Sequence, residues 1–381
     1  MIPSTTLNLS GNRFTVWYRL SGTKDEAQTK ADNICLEQTV EFPYALIPDG
    51  PIRDHIIGKI ESFDSIDDHQ HLVKISYAIE TTAFELTQTL NVIYGNISLI
   101  PGIRVEGLEL PGEYLRNFQG PRFGRDGLRQ LLNIPKRPLL CTALKPMGLS
   151  AKQLGEIAYQ LALGGLDIIK DDHGLSNQPF APFQERVRYC VEGVERANRQ
   201  TGKQSIYMPN ITAPAERVFE NALFAKENGA GGLLISPGLT GFDIIRQIAI
   251  DPNIKLPIFS HPTFLGSMIN SPDNGIAHNV IFGQLTRLAG ADATIFPNYG
   301  GRFSFSLEEC QKIVTGTTIP MGQIKTIFPV PGGGMSLARI NDMLQVYGND
   351  VVLLIGGDLH RHGPDLTENC RIFKTTVESL I

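Results

Sequence analysis

The sequence predicts a (β/α)8 barrel that follows a small α+β domain of ferredoxin-like type. From Pro138 onward, short apolar runs alternate with longer amphipathic stretches, at a period of roughly 25–35 residues that is typical of βα units. Polar or glycine residues stand at the end of nearly every apolar run. Active sites of such barrels lie at the carboxyl ends of the strands, whereas an open doubly wound sheet, the alternative, needs no such residue at every strand. The pattern therefore favours the barrel.

Eight strands are predicted for the barrel. Several are apolar at nearly every position, as expected for parallel strands that are covered on both faces. The predicted strands are Leu139–Leu144, Leu166–Asp171, Ser205–Ile211, Gly232–Ser236, Pro257–Ser260, Ala293–Phe296, Ile324–Val330 and Val351–Ile355. The predicted helices between them include Ser150–Leu163, Phe183–Arg199, Ala213–Asn228 and Ile276–Ala289.

The chain before the barrel has a different pattern. Its predicted strands and helices are Phe14–Leu20, Lys24–Glu41, Leu72–Ile79, Thr82–Gly95 and Ile103–Leu110. This order indicates a βαββαβ arrangement, with the acidic and weakly patterned segment Asp49–Asp68 as a loop or an edge. We therefore predict two domains, an α+β domain at 1–125 and the barrel at 126–381.

Composition restricts the function classes. The chain has 381 residues, of which 42% are hydrophobic, and a net charge of −5. It contains no basic run, so we expect no nucleic-acid partner. The five cysteines are scattered without metal-binding spacing, which predicts reduced thiols that lie mostly in the core. No secretory leader pattern is present, and no apolar run reaches the roughly 18 residues of a membrane helix, so we expect a cytoplasmic protein without a membrane partner.

Two glycine clusters follow the last two predicted strands. Barrel enzymes commonly bind phosphate with these two loops, because glycine lets backbone N–H groups approach the anion. The alternative is that the glycines only form tight turns. Since both loops carry them, we predict a site for the phosphate group of a small-molecule substrate at Gly333, Gly334, Gly356 and Gly357.

Charged residues end the second predicted strand, in the order Lys170-Asp171-Asp172-His173. Because alternate residues of a strand face the same side, Lys170 and Asp172 point together into the barrel mouth. An ordinary ion pair is one explanation. The other is a divalent cation, since the Asp172 carboxylate is a hard oxygen ligand that suits Mg²⁺. Lys170 takes part in such a site only as a carbamate, because an ammonium group has no lone pair.

Three more strand ends carry candidate site residues. Lys145 follows the first strand, where a lysine can act as a general acid or base; a surface lysine is the alternative. His261 ends the fifth strand and suits proton relay near neutral pH, although a hydrogen-bonded core histidine is an equal alternative. Asn210 ends the third strand and is a candidate for binding substrate.

Four segments carry a family resemblance. They are Leu139-Leu-Cys-Thr-Ala-Leu-Lys-Pro-Met-Gly-Leu-Ser150, Gly164-Gly-Leu-Asp-Ile-Ile-Lys-Asp-Asp-His-Gly174 with Asn177-Gln-Pro-Phe180, Tyr207-Met-Pro-Asn-Ile-Thr-Ala213, and Gly238-Leu-Thr-Gly241. In this order they resemble the RuBisCO superfamily, and the likeness runs from about residue 10 to the end of the chain. The resemblance implies the barrel and an enzyme that works through an enolate.

The resemblance also implies roles for single residues. Lys170 is similar to the family's carbamylated lysine, Asp172 to one of its metal ligands, and Lys145 to the lysine that moves protons during enolisation. His261 is similar to the active-site histidine of strand five. The four glycines named above are similar to the phosphate-binding glycines.

Two residues of the N-terminal domain, Glu37 and Asn96, match residues that reach into the site of a neighbouring subunit. The resemblance therefore implies a homodimer, or a larger homo-oligomer, with shared active sites.

Five departures indicate a RuBisCO-like protein of form IV rather than a carbon-fixing RuBisCO. His173 stands where the family has a glutamate ligand, Met147 replaces the second lysine of a Lys-Pro-Lys motif, and Pro262 replaces a phosphate-binding arginine. Arg302 replaces the mobile-loop lysine of carboxylation and is kept as a candidate catalytic residue, although arginine does not donate a proton readily. Two expected histidines of strand six fall at Ala293 and Ile295.

The remaining set suits an enolate made from a phosphorylated keto-sugar, with Mg²⁺ polarising the carbonyl group. Three reactions stay open. They are isomerisation of a 5-methylthioribulose 1-phosphate-like ketose, enolisation of a diketo-methylthiopentyl phosphate, and decarboxylation of a branched acid such as 3-oxo-isoapionate 4-phosphate. The resemblance implies that enolases of the family carry a lysine at the position of Asn96. The asparagine therefore disfavours the second reaction. Alternatives from other classes are a non-catalytic binding protein and an aldolase that uses Lys145 as a Schiff base.

Overall fold

The structure, a computed structural model, describes residues 6–381. The chain divides into two compact units. The first runs to Gln119 and includes the later segments Leu265–Leu285 and Pro320–Ile324. The second comprises Gly120–Phe264, Thr286–Ile319 and Lys325–Ile381. The division into domains at 1–125 and 126–381 stays a proposal. Residues 1–5 of the first domain lie outside the described residues.

The first unit contains a five-stranded sheet. Its strands are β1 (Arg13–Ser21), β2 (Lys59–Ser65), β3 (Gln70–Ala78), β4 (Ile103–Glu109) and β10 (Gly275–Ile276), and its helices are α1 (Lys24–Glu37), α2 (Leu86–Tyr94), α3 (Gly112–Leu115) and α10 (Gly266–Ile269). The strand order is β10-β4-β1-β3-β2. Only β10 pairs in parallel, with β4. The predicted ferredoxin-like βαββαβ order is confirmed, and β2 is an edge strand within the segment predicted as a loop or an edge.

Local sequence explains the first of these elements. Alternate residues of β1 are fully buried, so one face of the strand faces the core. Helix α1 begins at a capping box, in which the side chains of Thr23 and Glu26 each accept the other's backbone N–H. The helix ends at Glu37 with Gln38 as its C-cap residue, earlier than the predicted Glu41, and Glu41 itself has a left-handed φ of 45°.

The second unit contains eight strands and their helices. The strands are β5 (Leu139–Leu144), β6 (Ile168–Asp171), β7 (Ile206–Met208), β8 (Leu233–Ile235), β9 (Ile258–Ser260), β11 (Ala293–Pro297), β12 (Phe328–Gly332) and β13 (Val352–Leu354). The helices are α4 (Gly124–Leu132), α5 (Ala151–Leu163), α6 (Phe183–Thr201), α7 (Ala215–Glu227), α8 (Pro237–Thr240), α9 (Phe242–Ile250), α11 (Thr286–Leu288), α12 (Leu307–Thr318), α13 (Ile340–Tyr347) and α14 (Leu366–Glu378).

These strands form a closed parallel barrel. One arc has the order β13-β5-β6-β7 and the other has the order β8-β9-β11-β12. A parallel bridge between Asn210 and Leu234 joins the arcs at one side, and β12 lies beside β13 at the other. The predicted (β/α)8 barrel is therefore confirmed.

The barrel interior is a packed apolar core. Every strand contributes one residue, or two residues in alternate positions, to one buried cluster, which Leu128 and Leu132 of α4 complete. Ile168 of β6 belongs to this cluster. Lys170, two residues further along the same strand, therefore points into the barrel above it. The core thus ends where the charged residues of the mouth begin, the mouth being the face at which the carboxyl ends of the strands meet.

Two predicted elements of the second half of the chain differ from the structure in their limits or their type. The seventh barrel strand begins at Phe328, not Ile324, and includes Gly332, which pairs with Pro297. The predicted helix at 276–289 is instead β10, a π-helical segment at Val280–Leu285 and the short helix α11. All residues from Val280 to Leu288 are buried, so burial there does not follow the one-sided pattern of an amphipathic helix.

The five cysteine thiols are unpaired and buried, as the sequence predicted. No helix of the described residues is long and apolar enough to cross a membrane.

Candidate functional site

Lys145 and Asp172 form an ion pair at the barrel mouth. Lys145 directly follows β5 and Asp172 directly follows the neighbouring strand β6. Lys145 Nζ lies 2.7 Å from Asp172 Oδ1, and the two side chains are 38% and 16% exposed. The pair is therefore held by two adjacent strands and remains accessible from the mouth.

Lys170 lies below this pair and is almost fully buried. Its Nζ donates a hydrogen bond of 3.1 Å to the carbonyl oxygen of Asp171. Burial lowers the pKa of Lys170, and the charge of Lys145 lowers it further, while Cys141 and Asp172 raise it. A lowered pKa makes the neutral amine more available, which is the form of lysine that can react with CO₂.

Asp172 remains a carboxylate. Burial raises its pKa, but hydrogen bonds to His173 and Lys145 and the charges of both lysines lower it more, so its pKa lies well below the ordinary value for aspartate. The group is therefore ionised at every pH near neutrality and can hold a cation.

His173 and His261 stack at the same place. Their ring centroids are 4.5 Å apart and their planes differ by 14°. His261 Nδ1 accepts a hydrogen bond from the backbone N–H of Thr263 and lies 2.7 Å from the Thr263 hydroxyl oxygen. Because a backbone N–H can only donate, the neutral ring carries its proton on Nε2. Burial lowers the pKa of His261, and the charges of Lys170 and His173 lower it further, so this neutral form prevails.

Asp171, which lies between Lys170 and Asp172 in the sequence, is held by contacts on the outer face of β6. Asp171 and Arg186 form a fully buried ion pair of 3.0 Å. Asp171 also accepts hydrogen bonds from the Tyr207 hydroxyl group and from the backbone N–H of Asn210. Sequence reasoning missed Arg186, because a single arginine on a helix gives no sign that it is buried.

Asn210 has a supporting position. Its side-chain amide donates to the carbonyl oxygens of His173 and Leu175, both at 2.9 Å, and its Oδ1 accepts from the backbone N–H of Thr212. Both of its N–H donors are thus used to hold the loop that carries His173. Direct binding of substrate by Asn210 stays a prediction, and positioning His173 is the role that these contacts support.

The two glycine clusters lie at the mouth as predicted from the strand order. Gly333 and Gly334 have φ angles of 74° and 109°, which favour glycine. A Cβ atom on Gly334 would lie 2.6 Å from Gly301 Cα, so this turn also needs glycine for close packing. A Cβ atom on Gly356 would lie 3.9 Å from Lys145 Cε, and one on Gly357 would have no atom within 4 Å. The second glycine loop is therefore beside Lys145 and open.

Met147 lies near the Lys145–Asp172 ion pair, against Gly174. A Cβ atom on Gly174 would lie 2.8 Å from Met147 Cε and 3.7 Å from Asp172 Oδ2. Met147 is half exposed. An apolar thioether therefore stands beside the site carboxylate at the position where the family resemblance implies a lysine.

The mouth offers few donor atoms for a divalent cation. Nowhere in residues 6–381 do three His, Cys, Asp or Glu side chains form a metal-binding group. A carbamate on Lys170 would add an oxygen to Asp172 Oδ1 and His173 Nδ1, which are 3.5 Å apart. Two donors that share a cation at a right angle are about 3 Å apart, so Asp172 Oδ1 and His173 Nδ1 can share a divalent cation after a small shift. Mg²⁺ stays a prediction, since imidazole suits it less than carboxylate.

Glu37 and Asn96 belong to the first unit. Asn96 Nδ2 donates to Glu37 Oε1 at 2.9 Å, close to the surface. The contact keeps the two side chains together, and whether they complete a neighbour's site stays a prediction.

Comparison with known proteins agrees with this fold and these motifs. The family model of the ribulose bisphosphate carboxylase large chain, catalytic domain, matches residues 125–368. The chain therefore belongs to the RuBisCO large-chain family. Within that family it is a RuBisCO-like protein, similar over 96% of its length to the crystal structure of a Rubisco-like protein from Rhodopseudomonas palustris, with 98% of that chain covered, a TM-score of 0.86 and 36% identity.

Two relatives have names that describe reactions. A 5-methylthioribulose-1-phosphate isomerase of Rhodospirillum rubrum is 36% identical over 368 residues, which cover 96% of each protein. A 2,3-diketo-5-methylthiopentyl-1-phosphate enolase of Exiguobacterium sibiricum is 30% identical over 377 residues, which cover 96% of this chain and 92% of the relative.

Proposed function

We propose that this protein moves a proton through the enolate of a phosphorylated ketose, as an isomerase of the 5-methylthioribulose 1-phosphate type, and does not fix CO₂. The observation that carries the proposal is the position of Lys145. Its Nζ pairs with Asp172, while its Cε borders the open loop at Gly356. A phosphate group bound by that loop would place the sugar carbons next to a proton-transfer group.

Each residue of the site has a distinct job in this reaction. Lys145, as the neutral amine, takes a proton from the carbon next to the ketone and returns it to the former ketone carbon, while Asp172 holds its Nζ in place. The hydroxyl proton on the first carbon moves to the former ketone oxygen. Neutral His261 offers the N–H of Nε2 as a hydrogen-bond donor to a developing oxyanion. Lys170 adds positive charge, or an anionic ligand when carbamylated, from below.

A divalent cation, when bound by Asp172, His173 and carbamylated Lys170, supplies polarisation of the substrate carbonyl. Without the cation, Lys170 as an ammonium group and Lys145 once protonated stabilise the negative charge of the enolate. Arginine at position 302 and proline at position 262 favour a monophosphate over a bisphosphate substrate and disfavour carboxylation.

Two observations favour the isomerase over the enolase. Asn96 stands where the resemblance places a lysine in enolases. The isomerase relative is also more similar to this chain than the enolase relative, at 36% against 30% identity. None of the relatives compared above is named a decarboxylase.

Deuterium exchange tests the proposal directly. The purified enzyme is incubated with 5-methylthioribulose 1-phosphate in D₂O, and NMR follows label at the carbons flanking the ketone. We expect label together with isomerised product, loss of both in Lys145→Met, and no reaction of the unphosphorylated sugar. The exposed variant Lys152→Met is the matched control.

Other outcomes would replace the proposal. Enol formation from the diketo phosphate without isomerisation of the ketose would identify an enolase. Release of CO₂ from 3-oxo-isoapionate 4-phosphate would identify a decarboxylase. A borohydride-trapped adduct on Lys145 would identify an aldolase, and no reaction with any of these compounds would favour a binding protein.

A further inference from the structure

The loop Tyr299–Phe303, which follows β11, packs against the first glycine loop. A Cβ atom on Gly301 would lie 2.2 Å from the carbonyl oxygen of Gly333, and one on Gly334 would lie 3.1 Å from the backbone nitrogen of Arg302. Side chains larger than hydrogen do not fit at either contact. The backbone of Arg302 is therefore held against the glycines of the predicted phosphate site.

Aromatic rings direct the arginine side chains of this region. The Arg302 guanidinium carbon lies 4.9 Å from the centroid of the Phe303 ring, and that ring lies 3.0 Å from the place of a Cβ atom on Gly333. Guanidinium, ring and glycine loop are thus neighbours. Stacking on a ring leaves the N–H groups at the edge of the guanidinium plane available to a ligand.

A second arginine fastens the start of the same loop. Arg339 donates a hydrogen bond of 3.1 Å to the carbonyl oxygen of Tyr299 and stacks on its ring, with 4.9 Å to the centroid. Its guanidinium nitrogens lie 3.4 Å from the place of a Cβ atom on Gly300. Arg339 is therefore occupied with the loop, and Arg302 is the arginine of the pair that remains exposed.

We propose that Arg302 binds the substrate phosphate, as a second arm opposite the backbone N–H groups of Gly333 and Gly334. Among the described residues Arg302 forms no ion pair, so its charge is not neutralised by a carboxylate of this chain. A guanidinium group binds two phosphate oxygens at once, which a lysine ammonium does less well. The inference rests on the proposed phosphate site and gives Arg302 a binding role in place of a catalytic one.

Inorganic phosphate is the probe for this role, because its binding can be measured without turnover. Isothermal titration calorimetry compares wild type with Arg302→Lys and Arg302→Met. Loss of a charge-assisted hydrogen-bond pair weakens binding by about 10–100-fold. We expect this loss in Arg302→Met and a smaller one in Arg302→Lys. Arg199→Met, at an exposed arginine on α6, controls for general charge effects.

Kinetics with the phosphorylated substrate provide the second readout. A phosphate-binding role predicts that KM rises in Arg302→Met by a factor similar to the loss of phosphate affinity, while kcat changes less. Unchanged phosphate affinity with a large fall in kcat would overturn the proposal and make Arg302 a catalytic group. An equal loss of affinity in Arg199→Met would overturn it too, since the effect would then be one of net charge.

A separate variant distinguishes this inference from the site on which it rests. Gly333→Asp places a carboxylate at the glycine loop and should abolish phosphate binding whether or not Arg302 takes part. If phosphate affinity survives in Gly333→Asp, the phosphate site itself is misplaced. If affinity is lost there but intact in Arg302→Met, only the role of Arg302 is wrong.

Discussion

The two ends of the barrel use aspartate in opposite ways. At the amino ends of the strands, Asp292 accepts hydrogen bonds from the backbone N–H groups of Phe123, Gly124 and Ile258, at 2.6–2.9 Å. At the carboxyl ends, Asp172 is held by the flexible side chain of Lys145 and stays partly exposed.

The two aspartates differ in how completely their carboxylate oxygens are hydrogen-bonded. Asp292 is fully buried and accepts three backbone hydrogen bonds, so its role is to support the fold. Asp172 keeps a partner that can move away and make room for a ligand. Variants at the mouth should therefore change turnover or binding and leave stability intact, and variants at the base should do the reverse.

The largest effect is expected at Lys145. Lys145→Ala should lower kcat by about 10²–10⁴-fold, which is the usual contribution of a positioned acid or base. The midpoint of thermal unfolding and the affinity for inorganic phosphate should be unchanged. A variant with normal turnover would remove Lys145 from the mechanism.

The next largest effect is expected at Lys170. Calorimetry with Mg²⁺ in bicarbonate buffer should detect binding to wild type, and Lys170→Met should weaken it by more than about 100-fold, since a ligand is lost and not merely an outer partner. Omitting bicarbonate should have a similar effect on wild type. Full activity of the metal-stripped enzyme would instead leave Lys170 as an ordinary ammonium that steadies the enolate.

A third effect is expected at the open glycine loop. Gly357→Asp adds a carboxylate where no atom lies within 4 Å, so the chain should fold normally while phosphate binds about 10–100-fold more weakly. Gly357→Asn has the same shape without the charge and serves as the control. Equal binding by both variants and wild type would place the phosphate elsewhere.

The base of the barrel should respond to pH through Asp292. Burial raises its pKa from 3.8 to about 6, although three backbone N–H groups oppose the rise. A pKa raised by folding stabilises the protein below the unfolded pKa, and this contribution is lost as the pH rises through the folded pKa. Wild type should therefore lose roughly 2–3 kcal/mol of unfolding free energy from pH 4 to pH 6 that Asp292→Asn does not lose.

Urea unfolding at several pH values measures this difference. The other carboxyl groups are common to both proteins, so only the difference between the two curves is informative. Parallel curves would show that Asp292 is ionised throughout, with its three N–H donors outweighing burial.

The smallest signal is expected from mixing inactive chains. If Glu37 and Asn96 complete the site of a partner subunit, an Asn96→Ala chain and a Lys145→Ala chain should form mixed dimers with one intact site. Random exchange should restore about a quarter of wild-type activity, because half of the dimers are mixed and each has one working site of two. No recovery, with exchange verified by mass spectrometry, would contradict shared sites.

Much of the fold followed from the sequence because the signals are local. The apolar runs predicted the barrel strands, and the glycine and charged residues after those runs predicted where the barrel mouth lies. The limits of β12 and the π-helical segment at Val280–Leu285 were missed because burial on every side hides the periodicity on which prediction relies.

The site was predicted in part for the same reason. Lys145, Lys170 and Asp172 stand at strand ends, where residue order alone places them together. The partnership of Arg186 with Asp171, the hydrogen bond of Thr263 to His261, and the bonds of Asn210 to the His173 loop depend on tertiary contacts, which strand order does not reveal.

The buried cysteines have a practical consequence for following the loop Tyr299–Phe303 in solution. Burial raises the pKa of Cys35, Cys141 and Cys370 to about 12, and it raises those of the other two thiols as well. Protonated, enclosed thiols react slowly with maleimides. A single introduced cysteine at exposed Ser304 would thus accept a fluorophore alone, with all native cysteines left in place, and would report loop movement during a single turnover.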